Sequence, residues 1–319
     1  MVITDAITHF FGTYFCTCDR SPKTLKGYEV DLRQLRDFLG PNVFTCEVSS
    51  ERLQSWARHL REQGYRTTSI RRKFAVARVF FGHLARCGAI QTSPFTRIRL
   101  DLGKAKVLPR NLSESDARRL LEETWRGLEP ASKTRKASMF AREFYRQRNI
   151  AIVEILFATG IRVGELINLT IDDWRDTEAC FLINGKGSTQ RLAILPDERS
   201  IVAVRGYLGV RASIARESSY FFLSIHGHRL LSQGVSAIVR SCAHSAAIPS
   251  RVTPHMIRHT VATLLLTHGA DIRIVQEVLG HASILTTQRY LHVSKELLRS
   301  ALRLHHPIHH MRVAIPPER

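Results

Sequence analysis

Residues 253–292 concentrate the side chains that could carry out chemistry on a phosphate. Two histidines and an arginine at positions i, i+3 and i+4 share one face of a helix: His255, Arg258 and His259. Tyr290 follows in the same stretch. A phenol (pKa about 10) needs a base to become a nucleophile, and a phosphate needs cations. The stretch therefore indicates phosphoryl transfer with a tyrosine nucleophile.

Three further segments must position these groups. A second amphipathic run ends at Gly280, which reads as a helix C-cap and is followed by His281. Upstream, Arg162 follows a predicted helix stop and precedes Glu165 by three residues. The segment FLINGKGSTQRLAIL predicts two short strands around a Gly-Lys-Gly turn that presents Lys186.

Six candidate catalytic residues follow one another at separations of 24, 69, 3, 23 and 9: Arg162, Lys186, His255, Arg258, His281 and Tyr290. Over about two thirds of the chain, this order resembles the tyrosine recombinase (phage integrase) family. Several separate motifs in one order are more specific than any lone motif. The layout has no additional N-terminal arm-binding module and is similar to the Xer-type and transposon-encoded branch.

The resemblance implies a mostly α fold with a small β-hairpin or sheet, arranged as a two-domain DNA clamp. We expect a helical core-binding, SAM-like DNA-binding domain over 1–102 and a basic linker over 103–111. The catalytic domain, with a C-terminal helix and tail, would occupy 112–319.

The resemblance also implies DNA strand exchange by transesterification. Tyr290 would attack a backbone phosphate, form a 3′-phosphotyrosyl link and release a 5′-hydroxyl. The bond energy stays in the covalent intermediate, so neither ATP nor another cofactor is expected. Arg162 and Arg258 would stabilise the charge that develops on the phosphate oxygens, since guanidinium stays charged and binds two oxygens at once.

The remaining polar residues would assist. By resemblance, Lys186 would protonate the leaving 5′-oxygen, His255 would assist proton transfer with Tyr290, and His281 would hydrogen-bond the phosphate. Glu165 and His259 are expected to have structural roles.

A zinc site is the main alternative for the paired histidines. His255 and His259 have the spacing of the ligands in HExxH, but Met256 replaces the glutamate and Arg258 would repel a cation. No metal is therefore expected.

Charge and composition indicate the partner. The 319 residues carry a formal net charge of +19, of which +8 lies in residues 1–105 and +11 in the rest, so both halves are basic. Double-stranded DNA is the leading partner. The six scattered cysteines predict reduced thiols, and the longest apolar run, VATLLL, is too short for a membrane span. We expect a cytoplasmic bacterial protein, associated with the nucleoid when bound to DNA.

The N-terminal residues predict amphipathic helices, one of which begins at Pro22. A later helix, starting near residues 67–69, bears four basic residues opposite its apolar face: Arg71, Arg72, Lys73 and Arg78. A charge run of this kind can be a solvated face. Beside a recombinase-like catalytic half, DNA phosphate contact is favoured.

Three polar segments are less specific. Residues 127–145 are a longer insertion than usual, which could touch DNA or a neighbouring protomer or could be inert. His226-Gly227-His228 predicts a turn rather than a metal site. After a short helix, which the resemblance implies docks on an adjacent protomer, the His-rich tail at residues 305–310 predicts an unstructured polar segment rather than a metal site.

The leading hypothesis is a site-specific DNA recombinase that acts as a homotetramer on two duplexes, alone or with a second recombinase. Integration, excision, transposition and dimer resolution all stay open. A type IB topoisomerase is the alternative enzyme, since it has a similar active site but relaxes DNA as a monomer. A non-catalytic DNA-binding regulator is the third hypothesis, and the complete residue set argues against it.

Overall fold

The protein divides into two compact units, Met1–Leu108 and Pro109–Arg319. The structure is a computed structural model that describes residues 1–18, 22–96, 111–127, 138–185, 190–214, 218–280 and 295–311. Both units are mostly helical and the second contains a small sheet, so the predicted fold class is confirmed. Most of the predicted linker lies outside the described residues, and the predicted domain boundaries stay a prediction.

The first unit is built from helices that pack their apolar faces together. They are α1 (Ile3–Thr13), α2 (Pro22–Leu39), α3 (Ser50–Glu62) and α4 (Thr67–Arg86). The predicted apolar faces of α3 and α4 are buried at Leu53, Trp56, Leu60, Ile70, Phe74, Phe81 and Leu84.

Local signals set the ends of these helices. Proline at the first position starts α2, as predicted, and Gly40, with φ of +98°, follows its last residue. Ser49 caps α3 by accepting a hydrogen bond from the Arg52 N–H. Leu25, which helical spacing places on the same face of α2 as buried Leu32, is 39% exposed, because it borders an open groove beside α1.

The second unit surrounds a three-stranded antiparallel sheet with helices. Its helices are α5 (Glu114–Arg126), α6 (Met139–Thr159), α7 (Val163–Leu166), α8 (Glu198–Ala212), α9 (Ser232–Ser245), α10 (Pro254–Thr267), α11 (Ile272–Leu279), α12 (Lys295–His305) and α13 (Ile308–Met311). Its strands are β1 (Trp174–Arg175), β2 (Cys180–Asn184) and β3 (Gln190–Ile194). The hairpin of β2 and β3 was predicted, whereas β1 is too short to leave a periodic signal. No helix in the described ranges combines the length and apolarity that a bilayer span requires.

Helix α6 is the centre of the second unit. Residues 150–158 are apolar except for Glu154, and this half of the helix is buried, with Glu154 accepting a hydrogen bond from Trp125 Nε1. Helix α6 packs against α5, α8 and α10. The helix ends at Gly160, which adopts the left-handed conformation with φ of +58°. The chain therefore leaves the core at a fixed point, two residues before Arg162.

Two predictions about polar segments have different outcomes. The turn at His226-Gly227-His228 is confirmed, since Gly227 has φ of +78° and its N–H donates to the Ser224 carbonyl. The prediction of an unstructured tail is wrong for the residues up to 311, because these residues form the end of α12 and the whole of α13. His306 is fully buried, and its Nε2 lies 2.8 Å from the Ala158 carbonyl oxygen of α6. A long-range hydrogen bond thus orders a segment whose composition is polar.

Candidate active site

Two arginines meet at the C-terminal ends of α6 and α11. Arg258, on α10, donates from Nη1 to the Gly160 carbonyl and from Nη2 to the Leu279 carbonyl, both at 2.7 Å. Arg162 donates from Nη2 to the next carbonyl along the chain, that of Gly280, also at 2.7 Å. The last carbonyls of a helix have no partner within it, so they are ready acceptors. The two guanidinium groups therefore bind consecutive carbonyls of one turn.

The glycines at these ends are required by geometry. Gly160 and Gly280 have φ of +58° and +62°. A Cβ on Gly160 would collide with the Leu279 side chain, and one on Gly280 would lie 2.6 Å from Nε of Arg191. Only glycine lets the two helix ends and the arginines approach this closely.

Glu165 accepts hydrogen bonds from both Arg162 and Arg191. Its Oε1 accepts from Arg162 Nη1 at 2.7 Å, and its Oε2 accepts from the Arg162 backbone N–H at 3.1 Å and from Arg191 Nη2 at 2.8 Å. Burial raises the pKa of this carboxyl, but the charge of Arg191 and the hydrogen bonds from Arg162 outweigh burial and leave the pKa below its ordinary value. Glu165 is therefore held as a carboxylate.

Arg191, on β3, is a member of the cluster that the motif spacing does not single out. Its side chain is 9% exposed, and its buried Nε has no hydrogen-bond partner among the described residues. Burial lowers the pKa of its guanidinium, and the charge of Glu165 opposes this shift. The one signal in the sequence is an arginine inside the strand QRLAI, five residues after Lys186.

The cluster has a net positive charge, because its arginines outnumber its carboxylates. Among the described residues, three guanidinium groups are balanced by two carboxylates: Glu165, which pairs with Arg162 and Arg191, and Glu277, whose charge also acts on Arg191. Burial, followed by the charges of Arg162 and Arg191, lowers the pKa of Arg258 to about 10. Arg258 is 6% exposed, whereas the Arg162 side chain is 43% exposed. Preorganised cations at a partly open surface form a site for an anion such as a phosphodiester.

The histidines of α10 lie beside this cluster along the helix. His255 is exposed and His259 partly exposed, and their rings are parallel with centroids 6.5 Å apart. In the described part of the chain, no three side chains of metal-ligating type come together.

The other predicted catalytic residues, Lys186, His281 and Tyr290, lie outside the described residues. The strands that flank Lys186 are described, and Gln190 Nε2 donates to Asn184 Oδ1 at 2.9 Å across the hairpin. The residue before His281 is Gly280, whose carbonyl binds Arg162.

The four basic residues of α4 differ in exposure. Arg71 is partly exposed, while Arg72 and Arg78 are exposed. Arg72 pairs with Asp31 at 2.8 Å, and the guanidinium of Arg78 lies 5.5 Å from the ring centroid of Phe95. These arginines are accessible to a ligand.

The prediction that Lys73 lies on the exposed side of α4 is wrong. Lys73 is 2% exposed, and its ammonium donates to Asp31 at 2.9 Å and also to Gln34. A buried ammonium that is paired in this way is not a surface contact for DNA.

The mostly helical fold and the arginine cluster fit an enzyme that acts on phosphodiesters. The chain belongs to the phage integrase family: the family model matches residues 111–296, and the model of the family's N-terminal SAM-like domain matches residues 7–88. The class of enzyme is tyrosine recombinase, as its relatives indicate.

Relatives match almost the whole chain. The tyrosine recombinase XerC of Lacticaseibacillus casei is 33% identical over 297 residues, 91% of this chain and 94% of the relative. The tyrosine recombinase XerD of Oceanobacillus iheyensis is 34% identical over 315 residues, 95% of this chain and 98% of the relative. A structure of the Tn1549 transposon integrase in complex with circular intermediate DNA shares the fold, with a TM-score of 0.67 at 19% identity, and the match covers 95% of this chain and 99% of that one.

Proposed function

We propose that the protein recombines DNA at a specific site by cutting and rejoining strands through a 3′-phosphotyrosyl intermediate at Tyr290. The observation that carries the proposal is the placement of Arg162 and Arg258 on consecutive carbonyls of the turn that leads into His281. Tyr290 follows that turn by ten residues. Membership of the phage integrase family supports the same chemistry.

In the proposed cleavage step, the Tyr290 oxygen attacks phosphorus and the bond from phosphorus to the 5′-oxygen breaks. His255 accepts the phenolic proton, and Lys186 supplies a proton to the leaving 5′-oxygen. His281 donates a hydrogen bond to a non-bridging oxygen. The attack of the 5′-hydroxyl of a partner strand reverses these transfers and reseals the DNA.

The arginines supply electrostatic stabilisation in this step. Hydrogen bonds to Gly160 and Leu279 fix the orientation of Arg258, and those to Glu165 and Gly280 fix Arg162. Donors that are fixed before the reaction need no reorganisation when charge develops on the phosphate. The remaining N–H groups of both side chains are the proposed donors to the phosphate oxygens.

We infer that the active species is a homotetramer on two duplexes, in the cytoplasm and at the nucleoid when bound to DNA. The exposed arginines of α4, Arg72 and Arg78, and the partly exposed Arg71 are the proposed phosphate contacts of the N-terminal unit. The relatives and the solved structure are recombinases and an integrase, which favours recombination over topoisomerase activity.

A covalent trapping experiment tests the nucleophile. DNA selected for binding from a random library is made into a suicide substrate with a nick beside the cleavage site. The short fragment that cleavage releases, which carries the 5′-hydroxyl, diffuses away, so the strand cannot be resealed and the protein–DNA adduct accumulates. We expect an adduct with the wild type and none with Tyr290→Phe. Tyr220→Phe is the control, because this partly exposed tyrosine of the same unit lies outside the cluster.

Two outcomes would contradict the proposal. An adduct that forms equally with Tyr290→Phe would show that another group is the nucleophile. A monomer that relaxes a two-site plasmid without recombining it would favour a topoisomerase.

A further inference from the structure

We propose that Arg191 is a positioning residue for strand cleavage: it holds Arg162 in place through Glu165 and supports the Gly280 turn that both active-site arginines bind. This inference rests on the proposed function. It assigns a role to a buried side chain that contacts Glu165 and Gly280, next to the two arginines proposed to bind the phosphate.

The first step is the shared carboxylate. Arg191 Nη2 donates to Glu165 Oε2 at 2.8 Å, and the same oxygen accepts the Arg162 backbone N–H at 3.1 Å. The other oxygen of Glu165 accepts from Arg162 Nη1 at 2.7 Å. Arg191 is thus the partner of the carboxylate that does not belong to Arg162 itself. Without Arg191, these contacts tie Glu165 only to Arg162, so the two side chains can shift together.

The second step is direct packing. The ideal Cβ position of Gly280 lies 2.6 Å from Nε and 2.7 Å from Cδ of Arg191, so the arginine stem lies against this turn. The Gly280 carbonyl binds Arg162, and the preceding carbonyl, that of Leu279, binds Arg258. One side chain thus supports the backbone that orients both guanidinium groups.

The third step is the connection to the hairpin. Arg191 pairs with Ile183 across β2 and β3, and Lys186 belongs to the segment of sequence between these strands. The contacts of Arg191 therefore join the end of the hairpin nearest Lys186 to the arginine pair.

The contacts of Arg191 define a role that differs from direct phosphate binding. Its Nη2 donates to Glu165 and its stem lies against Gly280, so it acts through these neighbours. Among the described residues its Nε has no hydrogen-bond partner, which is unfavourable for stability. Removal of Arg191 takes one member from a buried ion pair with Glu165, so it is expected to lower stability as well. Cleavage is therefore measured on folded, DNA-bound protein, which separates a loss of positioning from a loss of stability.

The test is Arg191→Met, which keeps the length of the stem and removes the charge and the unpaired donor. Single-turnover cleavage of the suicide substrate is measured at saturating protein, beside the Kd for the same DNA. We expect cleavage to slow by about 100-fold, as for a misplaced catalytic group, with Kd changed by less than about threefold. Arg175→Met is the matched control. Arg175 lies on β1 of the same sheet and pairs with Glu178 outside the cluster, so this variant should cleave DNA at the wild-type rate.

A double-mutant cycle with Glu165→Gln tests the route of the effect. If Arg191 acts through Glu165, the double variant is no slower than the slower single variant. Losses that multiply, an unchanged rate in Arg191→Met, or equal losses in binding and cleavage would each overturn the inference.

Arg191→Lys keeps the inference testable if Arg191→Met does not fold. Lysine retains one charged donor to Glu165 but not the planar guanidinium, so we expect a cleavage rate below the wild type with unchanged Kd. A wild-type rate in Arg191→Lys would overturn the role. If the wild type itself forms no covalent adduct, the proposed function fails; if it does and the Arg191 variants match it, only the positioning role fails.

Discussion

Glu165 faces two arginines from a position that is mostly withdrawn from water, with a side chain that is 12% exposed. Its carboxylate offsets the mutual repulsion of Arg162, Arg191 and Arg258. Because the neighbours that outweigh burial are cations, the folded state favours the charged form of Glu165 over the protonated form. The stability of the site therefore depends on pH.

The change Glu165→Gln tests this dependence. The pKa of Glu165 is lower in the folded protein than its ordinary value of 4.5, so the folded state binds fewer protons and stability rises with pH. We expect the loss of unfolding free energy in Glu165→Gln to be full above about pH 4.5 and to shrink as the pH falls through the folded-state pKa. Denaturant unfolding at several pH values measures it.

Glu123→Gln is the control for that series. Glu123 pairs with Arg126 on the surface of α5, where the arginine side chain is 70% exposed. Exposed pairs of this kind contribute about 0–1 kcal/mol. A pH dependence as large as that of Glu165→Gln would contradict the account of the buried cluster.

Lys73 and Arg191 show what residue-level reasoning missed. Helical periodicity places Lys73 three residues after buried Ile70, hence at the edge of the apolar face. Its partner Asp31 belongs to another helix, and no local pattern predicts that pairing. Arg191 was missed for the same reason, because its contacts with Glu165 and Gly280 join residues far apart in the chain.

Helix ends, in contrast, were predicted where the signal is local. Gly160 and Gly280 were recognised as stops, and both adopt the left-handed conformation. The Ser113 side chain accepts from the Asp116 N–H at the start of α5, which is a local N-cap signal of the same kind. The segment at His306 was not predicted, since its order depends on Ala158, 148 residues away.

The left-handed end of α6 can be tested with Gly160→Ala. A Cβ at φ of +58° is strained and collides with the Leu279 side chain. We expect the unfolding free energy to fall by at least about 1–2 kcal/mol. The matched control is Gly209→Ala within α8, where a Cβ meets nothing within 4 Å. This control should be neutral or stabilising by about 0.5–1 kcal/mol, and a similar loss in both variants would contradict the argument.

The C-terminal helices can be tested with His306→Ala. Removing the imidazole leaves the Ala158 carbonyl and the Ile308 N–H buried without this partner. Each of the two groups costs about 1–3 kcal/mol, so we expect a loss of about 2–6 kcal/mol in unfolding free energy. His309→Ala is the control, because His309 is exposed. Equal stability of the two variants would show that α13 is not held by His306.

At the scale of the whole molecule, charge is spread along the chain. The net +19 is divided between the two halves, and the exposed arginines of α4 lie in the first unit while the arginine cluster lies in the second. Composition alone therefore predicted the class of partner. Composition does not reveal which basic residues are accessible, because that depends on packing.

The salt dependence of DNA binding tests which basic residues of α4 contact DNA phosphates. Each phosphate neutralised by a cation releases counterions and adds about 0.9 to the slope of log K against log salt concentration. Arg72→Gln and Arg78→Gln, which remove exposed guanidinium groups of α4, should each weaken binding and reduce the slope by about 1. The measurement is a series of Kd values for one DNA duplex between low and moderate salt.

Lys73→Met is the matched comparison on the same helix. Its buried ammonium binds Asp31 rather than DNA, so this variant should keep the wild-type slope even if it unfolds more easily. Unfolding measured in the same buffers separates lost protein from lost affinity. A slope reduced by Lys73→Met as much as by Arg72→Gln would mean that Lys73 leaves its pocket to meet the DNA. An unchanged slope in all three variants would move the phosphate contacts of the first unit away from α4.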